Sequence, residues 1–231
     1  MTTELKQTLD QLGRYCDLLL EKNQVMNLTA ITDPAEVVRR HFLDSAALLP
    51  SRAFPGKGVL DLGTGAGFPG VVLKILDPSI RLTLLDSTAK RVDWLRELCG
   101  ELGLREGVEF IHARGEVLAH EKEHREQYDI VVSRAVASMP LLAELCLPFV
   151  KPGGLFFAMK SNKTDEEIDA ARPLIARLGG TDPYVMDYKL PDTEIFHRLV
   201  TVHKRAAAPK SYPRGWARMK EEAQRLLNPE T

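Results

Sequence analysis

The apolar positions fall into two regimes. Over residues 3–22, Leu5, Leu9, Leu12, Tyr15 and Leu19 recur at helical spacing. A polar connection covers 23–34. Asp33 before Pro34 predicts a helix cap with proline at the first helical position. That helix spans 35–50, and Pro50 ends it. A loop at 51–58 marks the start of the main domain. Beyond it, short apolar runs alternate with amphipathic ones. The spacing predicts strands at 58–63, 81–86, 107–112, 128–133, 155–160, 184–190 and 196–204. It predicts helices at 68–76, 88–103, 114–120, 139–150 and 164–179, with Pro173 a break in the last. KPGG at 151–154 reads as a turn. The connection between the last two strands is short enough for a hairpin. Regular β–α alternation calls for an α/β fold, a mostly parallel sheet with helices on both faces. Three parts are expected: a helical extension at 1–50, the main domain at 51–205, and a basic, helical tail at 206–231.

One strand poses a question. DIVVSRAVASMP, at 129–140, is a core strand that delivers Ser133 and Arg134 to its carboxyl end. An arginine stays charged and is costly to bury unpaired. Either Arg134 reaches solvent or something at that end of the sheet needs it. In a doubly wound sheet, ligands sit beyond the carboxyl ends of the strands.

VLDLGTGAGFPG, at 59–70, answers in part. It runs strand, glycine-rich turn, helix. Gly63, Gly65 and Gly67 give D-x-G-x-G-x-G counted from Asp61, while Gly65, Gly67 and Gly70 give the dinucleotide pattern G-x-G-x-x-G. Glycines permit a tight turn and close ligand approach in both cases. Asp61, at the strand end, would disfavour a pyrophosphate but suits a cationic, amine-bearing ligand; its other reading is a carboxylate that satisfies backbone amides. Asp86 ends the second strand, where a carboxylate accepts both ribose hydroxyls of an adenosine. It fits NAD or S-adenosyl-L-methionine. No substrate domain follows, as a dehydrogenase would need. Seven strands with a C-terminal antiparallel hairpin are the pattern of class I (Rossmann-like) methyltransferases.

Composition narrows the setting. The 231 residues are 44% hydrophobic and 27% charged, ordinary for a globular protein with a full core. No apolar run reaches the roughly 18 residues of a membrane span, and the N-terminus lacks an apolar signal core. Cys16, Cys99 and Cys146 sit singly, which argues against a disulfide framework or a zinc site and for a reducing cytoplasm. The net charge of −1 does not suggest a polyanion binder. Its distribution does. Between Phe196 and Lys220 stand seven Lys/Arg and no acid, a candidate phosphate-facing edge whose alternative is a solvated tail.

HFLDSAAL (41–48), VLDLGTGAGFPGVVLKI (59–75), LLDSTAKRVDWL (84–95), HARGE (112–116), VVSRAVA (131–137) and YPR (212–214) together closely resemble the RsmG family, also called GidB. The resemblance covers about residues 20–215. It implies a bacterial methyltransferase that uses S-adenosyl-L-methionine to methylate N7 of one guanine in 16S rRNA, guanine 527 in the usual rRNA numbering. It implies 16S rRNA or the small ribosomal subunit as partner, no metal, no membrane, and a cytoplasmic protein, expected to be a monomer. Carried over by position, the glycine loop with Gly63 and Phe68 lines the cofactor pocket. Gly115 and Glu116 lie beside the adenine, where the family usually has Ala-Glu. Arg134 matches the arginine of the S-R-A motif, at the active site and against the cofactor. Lys160 matches a lysine usually followed by glycine; here Ser161 follows. After Tyr212-Pro213-Arg214 the family continues in a Gly/Pro-rich basic run, whereas this chain has a helix-like segment.

Guanine N7 carries a free lone pair, so attack on a sulfonium carbon needs no general base. Catalysis would come from alignment and water exclusion. Arg134 or Lys160 is expected to donate to guanine O6 or hold a phosphate, with Arg134 kept off N7. His41 and Asp44, three apart on one helix, share a face and either line the guanine side or serve as a helix cap or inter-helix bond. Tyr212 and Trp216 among Lys210, Arg214 and Arg218 suit stacking and phosphate contact; Trp216 would equally dock a last helix. Two rivals stand beside this reading: a methyltransferase of a small molecule or protein, and an NAD-dependent oxidoreductase or nucleotide-binding module.

Overall fold

A computed structural model describes residues 2–134 and 137–228. Ala135 and Val136, inside the S-R-A-V-A motif, lie outside the described residues, as do Met1 and 229–231.

Helix α1 spans Thr3–Met26 and buries Tyr15, Cys16 and Leu19. It runs past the predicted 3–22 because Asn27 ends it in the left-handed conformation, its N–H donating to Asn23 O. Only the carboxyl half of the predicted stripe is covered: Leu5 and Leu9 stay about half exposed. α2 (Pro34–Val37) starts as expected, with Asp33 Oδ1 accepting from Glu36 N at 2.9 Å. The predicted single helix 35–50 is a composite. α2 passes through a wide π-helical turn, Val38–Leu43, into α3 (Asp44–Ala46), and a 3-10 turn at Leu49–Ser51 contains Pro50.

The main body follows the predicted alternation. It runs β1 (Gly58–Leu62), α4 (Gly70–Leu76), β2 (Arg81–Asp86), α5 (Ala89–Glu101), β3 (Val108–His112), α6 (Gly115–Leu118), β4 (Tyr128–Arg134), α7 (Met139–Cys146), β5 (Val150–Ser161), α8 (Asp165–Arg177), β6 (Tyr184–Lys189), β7 (Phe196–His203) and α9 (Trp216–Leu227). The sheet order is β3-β2-β1-β4-β5-β7-β6. The first five strands are parallel, and β7 pairs antiparallel with both β5 and β6. The strand order reverses between β1 and β4, which is where such sheets open a crevice.

Alternate strand residues face two cores. Val59, Ile130, Val132, Phe157 and Met159 face α1, α4 and α5. Leu60, Leu62, Val131, Phe156 and Ala158 face α7, α8 and α9. Tyr15, Val37, Phe42 and Leu48 of the N-terminal helices belong to the first of these cores.

Three local expectations fail. KPGG is not a turn: β5 begins at Val150, and the residues between its pairings Tyr128↔Val150 and Ile130↔Leu155 form a bulge. Gly153 is left-handed (φ 90°), and a Cβ on Gly154 would lie 2.5 Å from Asp129 O, so turn chemistry serves a bulge inside a strand. The helix expected to reach 150 ends at Cys146 and tightens into a 3-10 turn at Leu147–Phe149, where Pro148 has no N–H to donate. Pro173 does not break α8, whose Ile168, Ala171, Leu174 and Ile175 stay buried through it.

Candidate active site

The glycine loop leaves β1 and turns back under α4. Gly63, Gly65 and Gly67 all have positive φ, at 72°, 58° and 109°, conformations that glycine adopts without strain. Gly67 is also sterically required, since a Cβ there would stand 2.6 Å from the Tyr15 hydroxyl. Around Gly65 only Gly63 O comes within 4 Å, at 3.9 Å. The loop is therefore packed on its Gly67 side and open at Gly65.

Two carboxylates shape it. Asp61 is fully buried. Its Oδ2 accepts from Gly70 N at 2.8 Å and from the Thr64 hydroxyl at 2.8 Å. One oxygen satisfies an amide, as one of the two sequence readings expects, while Oδ1 is buried and unpartnered. Burial pushes its pKa up to about 6, against the two hydrogen bonds and Arg134, which pull it down. Asp86 ends β2. Its Oδ2 accepts from Gly65 N at 3.0 Å and its Oδ1 from Thr88 N at 2.9 Å. Each carboxylate oxygen can still accept another donor.

A pocket of about 110 Å³ opens there, lined by Gly63, Asp86, Gly115, Glu116, Arg114 and Trp216, among others. The structure thus gathers four of the predicted cofactor residues into one cavity. A Cβ at Gly115 would meet Leu62 Cδ1 at 3.4 Å, an ordinary contact, so the position has room for the usual alanine.

Arg134 closes β4 on the other side of the crevice, and the opening question resolves. Its Nη1 lies 3.2 Å from Asp44 Oδ2 and its Nη2 3.2 Å from His41 Nδ1, with the guanidinium 4.7 Å over the Phe68 ring. Asp44 is 1% exposed and is a junction. Its Oδ1 also accepts from the Tyr188 hydroxyl and meets His197 Nδ1, each at 2.7 Å. Burial would raise the Asp44 pKa; the His197 hydrogen bond and the Arg134 charge outweigh it and hold the carboxyl below its ordinary value. Burial and then Arg134 push His41 down to about 4. His41 is therefore neutral near pH 7. Its Nδ1 lies 3.1 Å from Arg40 O as well as beside the Arg134 guanidinium, and its Nε2 is 2.9 Å from the Thr29 hydroxyl.

Lys160, near the end of β5, donates to Ala137 O at 2.7 Å and pairs with Glu167 at 2.8 Å. Arg40, His41, Asp44, Arg134, Lys160 and His197 line a second cleft of about 280 Å³. The predicted pair His41 and Asp44 does face it.

Three of the predicted site residues, Phe68, Tyr212 and Arg214, are held within the scaffold. The Phe68 side chain is 4% exposed, stacks between Tyr15 (5.2 Å) and His41 (4.5 Å) and lies under the Arg134 guanidinium, and it is not among the residues lining the pocket of about 110 Å³. Tyr212 is buried beneath α7–α9, with Arg177 reaching its hydroxyl at 3.2 Å, and offers no face for base stacking. Arg214 is bound bidentate to buried Glu144, at 2.9 and 2.6 Å. Of the basic edge, Arg198 is tied to Asp187 and Asp165, and Lys204 is buried against Glu126, leaving Arg205, Lys210, Arg218 and Lys220 exposed. His197, Tyr188 and Glu167 were not foreseen; the hairpin was legible, but no spacing shows which of its residues face a helix 144 or more positions earlier.

Among the described residues, no group of His, Cys, Asp or Glu is arranged to hold a metal, and no helix is long and apolar enough to cross a membrane.

Comparison with known proteins places the fold and the family. Solved structures share the fold at low identity. A methyltransferase from Pyrococcus furiosus matches with a TM-score of 0.59 at 13% identity, covering 85% of this chain and 99% of that one. A predicted O-methyltransferase from Agrobacterium tumefaciens matches at 0.57 and 17%, covering 73% and 82%. In sequence, the ribosomal RNA small subunit methyltransferase G of Alkaliphilus metalliredigens is 48% identical over 207 residues, 89% of this chain and 86% of its own. That of Clostridium botulinum strain Kyoto is 44% identical over 206 residues, 89% of this chain and 86% of its own. The family model described as "GidB: rRNA small subunit methyltransferase G" matches residues 8–195. The chain belongs to the GidB family of rRNA small subunit methyltransferases.

Proposed function

We propose that the chain transfers a methyl group from S-adenosyl-L-methionine to N7 of a guanine in 16S rRNA, guanine 527 in the usual numbering. The family is a methyltransferase family, and the fold is that of S-adenosylmethionine-dependent enzymes. The residues fit the cofactor. The open cradle at Gly65 admits a ligand without meeting a Cβ, Asp86 retains acceptor capacity for ribose hydroxyls, and the orphaned Asp61 Oδ1 awaits a cationic donor. When bound, the cofactor supplies an activated methyl group on a sulfonium.

The single observation that carries the guanine reading is the chemistry of the second cleft. It presents two cationic donors, Arg134 and Lys160, beside the Asp44–His197–Tyr188 cluster. Asp44 is engaged by Arg134, His197 and Tyr188, and His41 has both ring nitrogens committed. A substrate with no proton to lose needs only such donors and alignment. Guanine N7 has none to lose. Arg134 and Lys160 present cationic donors to O6 or a phosphate, and the fixed pose of Arg134 on Phe68 and Asp44 keeps it from following N7. Their role is positioning and desolvation rather than proton transfer.

The direct test uses small ribosomal subunits from a strain lacking the modification. Incubated with enzyme and S-adenosylmethionine, then digested, their RNA should yield N7-methylguanosine by mass spectrometry at one position. A methylated protein or small molecule, with unmodified RNA, would replace this reading with the rival one.

A further inference from the structure

Trp216 is the first residue of α9, beyond the residues 8–195 that the family model matches. It is 40% exposed although it is among the largest apolar side chains here, and it lines the pocket that holds Gly63, Asp86, Gly115 and Glu116. Its ring does not stand alone. The Arg114 guanidinium lies 4.9 Å over it, and Arg114 Nε is held by Glu116 Oε1 at 3.0 Å. A chain Glu116–Arg114–Trp216 therefore links the pocket floor to its outer edge.

The preceding strap fixes where Trp216 can be. Arg125 donates to the carbonyls of Ala208, Pro209 and Tyr212, and Glu126 accepts from Ala208 N at 2.7 Å. His120 Nε2 meets Pro213 O at 2.8 Å, and Arg214 grips Glu144. Beyond Trp216, Met219 and Ala223 anchor α9 in the core of α7 and α8. An aromatic held this firmly, 40% exposed and lining a cavity, leaves ring surface beside the Arg114 contact on which a flat ligand can pack.

We propose that Trp216 is a cofactor-binding residue of this chain, forming the outer wall of the adenosine pocket and packing on the adenine of S-adenosylmethionine. The C-terminal helix thereby completes the cofactor site instead of contacting RNA. The inference rests on the cofactor reading above. Indole–base packing of this kind is sequence-tolerant and is lost on truncation to alanine. The Glu116–Arg114 pair holds the ring in place, so Arg114→Ala acts in the same direction, more weakly.

The test is calorimetric titration of S-adenosylhomocysteine into full-length wild type, Trp216→Ala and Trp216→Phe. The dissociation constant should rise about tenfold in the alanine variant and return most of the way in the phenylalanine variant. Wild-type tryptophan emission should change on titration and the change should vanish in Trp216→Phe, leaving only buried Trp94. Equal dissociation constants in wild type and Trp216→Ala, or an emission change that survives in Trp216→Phe, would overturn the assignment of Trp216 alone. A wild type that does not bind S-adenosylhomocysteine would overturn the cofactor reading and this inference with it.

Discussion

Arg134 and Asp44, 90 residues apart in sequence, meet at 3.2 Å at the mouth of the parallel sheet. Asp44 is also the point where the β6–β7 hairpin, through Tyr188 and His197, reaches the N-terminal helices. One carboxylate thus couples three parts of the chain to the arginine. Asp44→Asn keeps the shape and removes the charge. Loss of one partner from a buried pair costs about 3–5 kcal/mol; the 15% exposure of the Arg134 side chain places this site at or below the lower end. Denaturant titration should show a loss of about 2–3 kcal/mol, and methyl transfer should fall more than cofactor affinity. An unchanged midpoint would remove Asp44 from the centre of the account.

His41 and Asp61 carry opposite pH signs. His41 has a folded pKa of about 4, below its ordinary 6.5. Across that window the unfolded chain binds more protons, so the stability tied to His41 is lost as pH falls from 6.5 through about 4. Asp61 is raised from 3.8 to about 6. There the folded chain binds more protons, so the stability tied to Asp61 is lost as pH rises through that window. Each slope is at most ~1.4 kcal/mol per pH unit, and in wild type they oppose. In His41→Gln stability should therefore decline as pH rises from about 4 to 6, and in Asp61→Asn it should climb. Denaturation midpoints taken across this range decide it. Slopes of the same sign in both variants would be inconsistent with the geometry.

Two glycines separate folding from binding. A Cβ on Gly70 would lie 2.7 Å from Asp61 Oδ2 and 3.0 Å from Leu84 Cδ2, all in packed core. Gly70→Ala should lower stability by about 1–3 kcal/mol. Gly65→Ala meets no packed atom and bears only the strain of φ 58°, about 1 kcal/mol, but its methyl projects into the open side of the loop. The first variant should chiefly shift the melting temperature, the second chiefly the affinity for S-adenosylhomocysteine. The reverse ranking would mean the ligand lies elsewhere.

Arg214 tests scaffold against RNA contact. Glu144 is 1% exposed and takes three donors from Arg214, at 2.8, 2.9 and 2.6 Å. Arg214→Ala strands a buried carboxylate and should destabilise by ~3 kcal/mol, lowering the melting temperature by roughly 6–12 °C for a chain of this size. Adding Glu144→Gln should recover part of it. A melting temperature within a degree of wild type, with a shallower salt dependence of RNA binding, would instead return Arg214 to the phosphate-contact role.

What the sequence revealed follows from what spacing encodes. Alternation of strands and helices is written in local periods, and the hairpin in a short connection, so both were legible. So was the convergence of Gly63, Asp86, Gly115 and Glu116, since residues after parallel strands share one edge. KPGG and Pro173 misled because turn residues and proline report backbone chemistry, not whether the surrounding packing holds the element together. Phe68, Tyr212 and Arg214 misled differently: residue type suggested a ligand contact, while burial and the partner Glu144 are tertiary facts. Trp216 had two readings, and the structure adds a third position, the pocket mouth.

The central claim is that Arg134 serves the methyl transfer and not the fold alone. The most direct measurement is single-turnover methylation of unmodified small subunits by wild type and Arg134→Ala, with S-adenosylhomocysteine affinity measured on the same preparations. The account predicts a rate lower by about a hundredfold or more in the variant, with cofactor affinity within a few-fold of wild type. A variant that methylates at the wild-type rate would contradict it and leave Arg134 as the structural partner of Asp44.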